Sequence, residues 1–132
     1  MATQKTQQKQ NILLVEDDPF LVEMYMNKFE EAGYEIDVAS NGNKAIEQIK
    51  AKHPVIVLMD VVMPGLDGFE VLKLIKSDET TKSIPVIMLT NLGQKEDVDK
   101  AMNLGAADYL VKAHFTPSEV VSKVKQIIDK LK

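Results

Sequence analysis

The 132-residue sequence contains no cysteine, no tryptophan and no arginine. The absence of Cys excludes disulfide bonds, thiol nucleophiles and Cys-ligated zinc. All sixteen basic side chains are therefore Lys. The planar guanidinium group of Arg donates paired hydrogen bonds to guanine and to phosphate. A chain without Arg is therefore not expected to recognise a nucleic-acid sequence directly. The longest apolar stretch, residues 55–63, is interrupted by Asp60 and is far shorter than the ~18 residues of a membrane span, so no membrane association is expected.

The composition is that of one globular domain. Hydrophobic residues make up 45% and charged residues 27% of the chain, and the formal net charge is -4. Residues 1–10 are polar and lack the apolar core of a secretion signal, which predicts a flexible N-terminal tail, a domain over residues 11–132 and a cytoplasmic location.

Five short apolar runs alternate with five segments of helical periodicity. The runs lie at residues 12–15, 36–39, 55–59, 86–89 and 109–111. Most of them lack the alternation of a strand with one solvent-exposed face, which is typical of strands covered on both faces by helices. The helical segments run from Asp18 to Gly33, over residues 43–52, after Gly68, over residues 94–104 and from Thr116 to Leu131. This alternation predicts an α/β fold, a doubly wound parallel sheet with five helices.

Polar side chains follow four of the strands: Glu16 and Asp17, Asp60, Thr90, and Lys112. Ligands of such folds bind at the carboxyl edge of the sheet. If the first and third strands are neighbours, Asp17 and Asp60 repel by ~4 kcal/mol at an effective dielectric constant of ~20, and a cation must offset this. Oxygen ligands without His or Cys favour Mg²⁺. Mg²⁺, a hydroxyl and an ammonium together can hold a phosphoryl group, and an Asp can accept it covalently.

Purely structural roles also fit some of these residues when each is taken alone. The position of Asp17 is explained by an acidic side chain that interacts with the dipole of the following helix. The position of Thr90 is explained by a side chain that caps the turn after its strand. Tyr109 fits a core residue. The functional interpretation of these residues depends on their occurring together.

The motifs LLVEDD, VIVLMDVVMPGLDG, VIMLT and DYLVK occur in this order before a final amphipathic helix. Over residues 11–131 this pattern resembles the receiver domains of bacterial response regulators. The resemblance implies the flavodoxin-like, CheY-like strand order 2-1-3-4-5. It also implies that Asp60 is phosphorylated by a histidine kinase or phosphotransfer protein. Mg²⁺ would be bound by Asp17, Asp60 and the main-chain carbonyl of Val62, and Glu16 would hold metal-bound water.

The resemblance also implies a conformational switch. Thr90 would hydrogen-bond the phosphoryl group, Lys112 would contact it electrostatically, and Tyr109 would change rotamer as Thr90 moves. The output would be protein binding through the face made by the fourth helix, fifth strand and fifth helix, by a monomer or a phosphorylation-dependent dimer.

A docking patch is predicted on the first helix. Val22 and Met26 lie one turn apart, off its main apolar stripe, and would form an exposed patch with Pro19. The resemblance implies that this patch docks kinases, and simple edge packing is the alternative.

Three other functions compete with the switch. A Mg²⁺-dependent phosphatase with an aspartyl nucleophile would carry a second Asp two residues later, where this chain has Val62. Nucleotide binding is disfavoured because neither glycine-rich phosphate motif occurs. A pseudo-receiver that binds partners without phosphorylation is the third alternative.

Three positions depart from the family pattern. Ala113 stands where a Pro preceded by a cis bond is common, and a cis bond before Ala would cost about 2.5–4 kcal/mol, which favours a trans bond here. Asn91 replaces a smaller residue, and Val62 replaces a polar one. Because Asn91 and Val62 flank the path of an attacking water, an altered rate of autodephosphorylation is expected.

Overall fold

The computed structural model describes residues 9–131. The strands are β1 (Asn11–Val15), β2 (Glu35–Ala39), β3 (Ile56–Met59), β4 (Val86–Thr90) and β5 (Asp108–Val111). The helices are α1 (Pro19–Glu31), α2 (Gly42–Lys52), α3 (Gly68–Ser77), α4 (Lys95–Asn103) and α5 (Pro117–Lys130). Residues 1–8 of the predicted tail lie outside the described residues. At the end of this tail, the carbonyl of Gln10 accepts a hydrogen bond from Glu35 N.

The five strands form one parallel sheet in the order β2-β1-β3-β4-β5, which confirms the predicted fold. Alternate side chains of the strands enter two separate cores. On one face, residues such as Val57 and Met59 pack against α2, α3 and α4. On the other face, residues such as Ile56 and Leu58 pack against α1 and α5. Burial on both faces explains why the central strands β1, β3 and β4 are almost entirely apolar.

Capping side chains fix where the helices begin. Asp18 accepts hydrogen bonds from the main-chain N–H groups of Phe20 and Leu21 at the start of α1. Asp67 with Glu70, and Thr116 with Glu119, form capping boxes at the starts of α3 and α5. The first cap matters for function, because it starts α1 directly after Glu16 and Asp17.

The structure differs from the sequence prediction in two places near the C-terminus. Lys112 does not end a strand but opens a short 3₁₀ helix, Lys112–His114, which the sequence analysis missed. The last helical segment was predicted to run to Leu131, but α5 ends at Lys130, and Leu131 is its C-cap residue and is 59% exposed. It lies beyond the last turn of the helix, where the core no longer covers it.

A glycine brings the start of α3 against the end of β3. A Cβ atom on Gly68 would lie 2.3 Å from the carbonyl oxygen of Asp60 and 2.8 Å from Val61 Cα. Gly68 N also donates a hydrogen bond of 2.8 Å to the carbonyl of Val61. This close approach fixes the main chain around Asp60.

Across residues 9–131, none of the helices is long and apolar enough to cross a membrane.

Candidate functional site

Two neighbouring strands place their acidic residues at the same edge of the sheet. Val15 pairs with Met59 at the ends of β1 and β3, so Glu16 and Asp60 follow paired residues. The main chain is held at both positions, because Asp60 N donates to the carbonyl of Val15 and Glu16 N donates to that of Ala39. The predicted convergence of the first and third strands is therefore observed.

Glu16, Asp17 and Asp60 form a compact carboxylate cluster. One oxygen of each lies within 4.8 Å of the others. Glu16 is 2% exposed and Asp60 is 8% exposed, whereas Asp17 is exposed to solvent. The cluster therefore has two buried carboxylates and one that solvent or an ion can reach directly.

Lys112 lies between the two buried carboxylates. Its Nζ atom is 2.6 Å from Glu16 Oε1 and 2.8 Å from Asp60 Oδ2, and all three side chains are largely buried. The described residues include no cis peptide bond, so the bond before Ala113 is trans, as the sequence favoured. The 3₁₀ helix thus delivers Lys112 to the cluster without the cis bond common in the family.

Main-chain N–H groups also donate hydrogen bonds to the buried carboxylates. Val62 N donates to Asp60 Oδ1 at 3.2 Å, and Asp18 N donates to Glu16 Oε2 at 3.2 Å. Both carboxylates are therefore held by donors on each side, which fixes their orientation.

The pKa values of Glu16 and Lys112 are both raised, which favours the neutral form of Glu16 and the charged form of Lys112. Burial raises the pKa of Glu16, and this outweighs the lowering caused by Lys112 and the N–H of Asp18. Burial alone would lower the pKa of Lys112, but its hydrogen bonds and charge interactions with Asp60 and Glu16 outweigh it and raise this pKa. Lys112 therefore stays an ammonium ion at neutral pH.

The residual charge of the cluster suits a divalent cation. Three carboxylates and one ammonium leave two negative charges when all are ionised. The cluster offers only carboxylate oxygens as ligands, and its Asp17 side chain is open to solvent. Both features suit Mg²⁺, which binds oxygen ligands and keeps some of its water molecules. Glu16, Asp17 and Asp60 together could hold such an ion, and the main-chain N–H of Val62 contacts Asp60 Oδ1.

Thr90 and Tyr109 are connected through the main chain of Leu92. Thr90 is 1% exposed at the end of β4, and its Oγ1 accepts a hydrogen bond of 3.4 Å from Leu92 N. The Tyr109 hydroxyl donates a hydrogen bond of 2.6 Å to the carbonyl of Leu92. Burial, with the charges of Asp97 and Asp60, raises the pKa of Tyr109 to about 12, so this hydroxyl remains a donor.

An open cleft of about 310 Å³ lies above the cluster. Its walls include the predicted site residues Glu16, Asp17, Asp60, Thr90 and Lys112, together with Asp18, Leu21, Val62, Asn91 and Leu92. Two of the three departures from the family pattern, Val62 and Asn91, therefore line the cleft. Val62 is 62% exposed and Asn91 is exposed, so both are accessible to molecules that enter it.

The predicted docking residues lie on α1 next to the cluster. Val22 and Met26 are half-buried and pack against the core, and with Pro19 they line a groove beside β2. The sequence analysis missed Phe20, which is 84% exposed at the start of α1. Its position within an apolar run, PFLV, concealed its exposure.

Sequence reasoning also missed Leu92. Its contribution is a main-chain N–H and carbonyl, and the identity of a residue carries no signal for such a role. The pairing of Lys112 with Glu16 was likewise not anticipated, because these residues are 96 positions apart.

The strand order and the chemistry at the strand ends are those of the receivers of two-component signalling, which act as signalling switches. The family model described as "Response regulator receiver domain" matches residues 12–125, and this chain belongs to that family.

Solved structures support the assignment. The receiver domain of a Francisella response regulator is 29% identical, with a TM-score of 0.86 over 94% of this chain and 100% of that chain. The Vibrio cholerae chemotaxis protein CheY4 is 27% identical, with a TM-score of 0.84 over 91% of this chain and 99% of that chain.

Curated relatives include longer transcriptional regulators. The phosphate regulon transcriptional regulatory protein PhoB of Klebsiella pneumoniae is 34% identical over 91% of this chain and 52% of its own length. The DNA-binding dual master transcriptional regulator RpaA of a Synechocystis strain is 35% identical over 89% of this chain and 48% of its own length. The chain thus spans about half the length of these relatives.

Proposed function

We propose that this protein is a response regulator that accepts a phosphoryl group on Asp60 from a histidine kinase or phosphotransfer protein and then binds a partner protein. The observation that carries the proposal is the position of Asp60. Its carboxylate lies at the floor of an open cleft, paired with Lys112 and adjacent to two further carboxylates.

The transfer conserves atoms and charge. The phosphorus–nitrogen bond of a phosphohistidine breaks, and a phosphorus–oxygen bond to Asp60 forms. The electron pair of the broken bond stays on the imidazole nitrogen. Lys112 lies where it can offset the negative charge of the transferred group. Mg²⁺ held by Asp17, Asp60 and the carbonyl of Val62 would supply further positive charge, and Glu16 would hold its water.

The conformational response is proposed to start at Thr90. Its hydroxyl can donate a hydrogen bond to the phosphoryl group, and its movement would displace Leu92, whose N–H it binds. Because Leu92 also accepts the bond from Tyr109, this movement reaches the aromatic ring on β5. The switch is then a shift between two populations of the segment that joins β4 to α4.

The output is proposed to occur at the face formed by α4, β5 and α5. On this face Met102 is 45% exposed, and the half-buried Lys123 places its Nζ 5.9 Å from the centre of the Phe115 ring. We propose a protein partner rather than DNA, because the chain has no Arg. Whether phosphorylation also produces a dimer can be measured by light scattering with and without a phosphodonor.

Replacing Asp60 by Asn tests the phosphoacceptor. Incubation with acetyl phosphate and Mg²⁺ is expected to add the mass of one phosphoryl group to the wild type and none to Asp60→Asn, because the amide cannot form the acyl phosphate. The matched control is Asp67→Asn, which keeps a good helix cap on α3 and leaves the cluster intact. Equal uptake by the wild type and Asp60→Asn would contradict the proposal.

Two alternative functions give different results in the same assay. A phosphatase would hydrolyse phosphate esters over many turnovers, but the position two residues after Asp60 is Val62, which cannot act as an acid. A pseudo-receiver would bind its partner equally well with and without phosphodonor and would gain no mass.

A further inference from the structure

A depression on the face of the sheet opposite α1 lies between α2 and α3. Its volume is about 690 Å³, compared with about 310 Å³ for the phosphoacceptor cleft. It is formed by the C-terminal halves of both helices and by the segment that follows α3. It therefore lies toward the amino edge of the sheet, away from the cleft at the carboxyl edge. We call it the α2–α3 pocket.

The floor of the α2–α3 pocket is apolar and preformed. Ile49 and Ile75 are each 1% exposed and belong to the core beneath the two helices. Ile46 is half-buried and packs against the same core. Leu74 lines the pocket from α3 and is 49% exposed. An apolar group that enters the pocket would cover Leu74 and gain hydrophobic burial without rearrangement of the core.

Two side chains of opposite charge line the α2–α3 pocket. Lys50 lies on α2, and Asp78 directly follows α3, so each wall contributes one charge. Lys50 Nζ is 3.6 Å from Asp78 Oδ2, and the side chains are 58% and 32% exposed. Because this distance is longer than that of a hydrogen bond, both charged groups can still form direct hydrogen bonds with a ligand.

The Asp78 carboxylate is held in a fixed orientation. Its Oδ1 atom accepts hydrogen bonds of 2.8 Å from Thr80 N and 2.7 Å from Thr80 Oγ1. These hydrogen bonds lower the pKa of Asp78, so it is ionised at neutral pH. Its other oxygen, Oδ2, is thereby oriented before a ligand arrives, which reduces the entropy lost on binding.

The charges of the pocket balance one another. Glu79 also lines it, but this side chain is 86% exposed, and its Oε1 lies 3.0 Å from Lys82 Nζ, which offsets its charge. The two charges that remain, on Lys50 and Asp78, are of opposite sign. A ligand of one charge would be repelled by one of them, whereas a zwitterion complements both.

We propose that the α2–α3 pocket binds an apolar α-amino acid in its zwitterionic form. The ammonium group of the ligand would donate to Asp78 Oδ2, its carboxylate would accept from Lys50 Nζ, and its side chain would cover Leu74. An apolar floor with a few converging polar groups, in a volume of this size, is typical of small-molecule sites. The pocket does not include Asp60, so binding does not depend on phosphorylation of that residue.

The test uses L-phenylalanine as the probe, with three analogues that each lack one feature. Phenethylamine lacks the carboxylate, 3-phenylpropionate lacks the ammonium group, and L-alanine keeps both charges with little apolar surface. Binding is measured at pH 7 from amide chemical shifts of the isotope-labelled protein, with each compound at up to ~20 mM because a ligand of so few atoms binds weakly. L-Phenylalanine is expected to bind at least about fivefold more tightly than each analogue.

Variants of the two charged residues locate the binding. Lys50→Gln and Asp78→Asn are each expected to weaken L-phenylalanine by about fivefold, and Asn can still accept the hydrogen bonds from Thr80. The matched control is Lys52→Gln. Lys52 lies on the same helix, is 53% exposed and pairs at 3.2 Å with Asp37, which is 28% exposed. This control is expected to change the affinity by less than about twofold.

The position of the shift changes is a second, independent measurement. They are expected to concentrate at residues 46–50 and 74–81. Equal binding of L-phenylalanine and its two singly charged analogues, or equal weakening by Lys50→Gln and Lys52→Gln, would overturn the proposal. Shift changes on another face would also overturn it. So would shifts at this pocket when the protein concentration alone is raised, because a second copy would then be the occupant.

The variant Asp60→Asn separates this proposal from the proposed function. It is expected to lose phosphorylation and to retain the affinity for L-phenylalanine. Loss of phosphoryl uptake by the wild type would contradict the proposed function and leave the amino-acid site in place, whereas loss of L-phenylalanine binding by Asp60→Asn would overturn its independence of the phosphoacceptor.

Discussion

Replacement of Lys112 by Met tests whether this one ammonium ion holds the acidic site together. Met has a similar length and no charge, so it keeps much of the packing and removes both ion pairs. In the wild type Lys112 Nζ lies 2.6 Å from Glu16 Oε1 and 2.8 Å from Asp60 Oδ2. The variant leaves two buried carboxylates facing each other without a cation.

The expected loss of stability follows from their separation. The oxygens of Glu16 and Asp60 lie within 4.8 Å of each other. At an effective dielectric constant of about 20, two like charges at this distance repel by about 3.5 kcal/mol. Removal of one partner from a buried ion pair typically lowers the free energy of unfolding by about 3–5 kcal/mol, in agreement with this repulsion. For a chain of 132 residues this corresponds to a fall in Tm of about 12 °C.

Thermal and urea unfolding in EDTA at pH 7, followed by circular dichroism, measures this loss. The matched control is Lys95→Met. Lys95 Nζ lies 2.7 Å from Asp99 Oδ2, a similar distance, but these side chains are 86% and 55% exposed. Solvent screens that pair, so Lys95→Met is expected to melt at nearly the same temperature as the wild type.

Mg²⁺ supplies the second half of the test. Without the ammonium of Lys112, the cluster would carry three negative charges rather than two, so added Mg²⁺ should stabilise the variant more than the wild type. The reasoning is refuted if Lys112→Met loses no more stability than Lys95→Met. Equal stabilisation of the wild type and Lys112→Met by Mg²⁺ would likewise refute it.

Three further predictions concern the cluster and its surroundings. Because the folded-state pKa of Glu16 is raised, its ionisation disfavours the fold, and the stability of the wild type is lost as pH rises through that pKa. The free energy of unfolding of Glu16→Gln relative to wild type, measured in urea, should therefore change in favour of the variant from pH 4 to pH 7, and a constant difference would contradict this. Gly68→Ala should lower the free energy of unfolding by about 2 kcal/mol or more, because the new Cβ would clash with the main chain at the end of β3. The control is Gly93→Ala, where the atom nearest to the new Cβ is 3.6 Å away. Similar melting temperatures for the two variants would be inconsistent with the clash. Val62→Asn and Asn91→Ala should each change the rate of phosphate release from the phosphorylated protein, and time courses that match wild type would rule out a role for these cleft residues.

Some positions could be predicted because local chemistry decides them. The helix that begins after Asp18 and the helix that begins after Thr116 were anticipated from their caps, and the structure shows both capping interactions. The central strands β1, β3 and β4 were recognisable because both of their faces are buried, which requires nearly continuous apolar sequence. Asp60 could be identified as a candidate because a carboxylate directly after a buried strand needs a compensating partner.

Other features could not be predicted because they depend on residues distant in sequence or on the main chain. The 3₁₀ helix at Lys112 has no side-chain cap, so no local signal marks it. Phe20 belongs to an apolar run, and only its orientation at the start of α1 leaves it exposed. Leu92 links Thr90 to Tyr109 through peptide groups that every residue possesses.

The amino-acid sequence by itself determined the strands, the helices and the identity of the polar groups at the strand ends. These depend on periodicity, capping and burial within short segments. Only the tertiary structure decided that Lys112 neutralises both Glu16 and Asp60, and that the carboxylates gather within 4.8 Å. Electrostatic energy depends on distance through space, and that distance is set when β1, β3 and β5 take their places in one sheet.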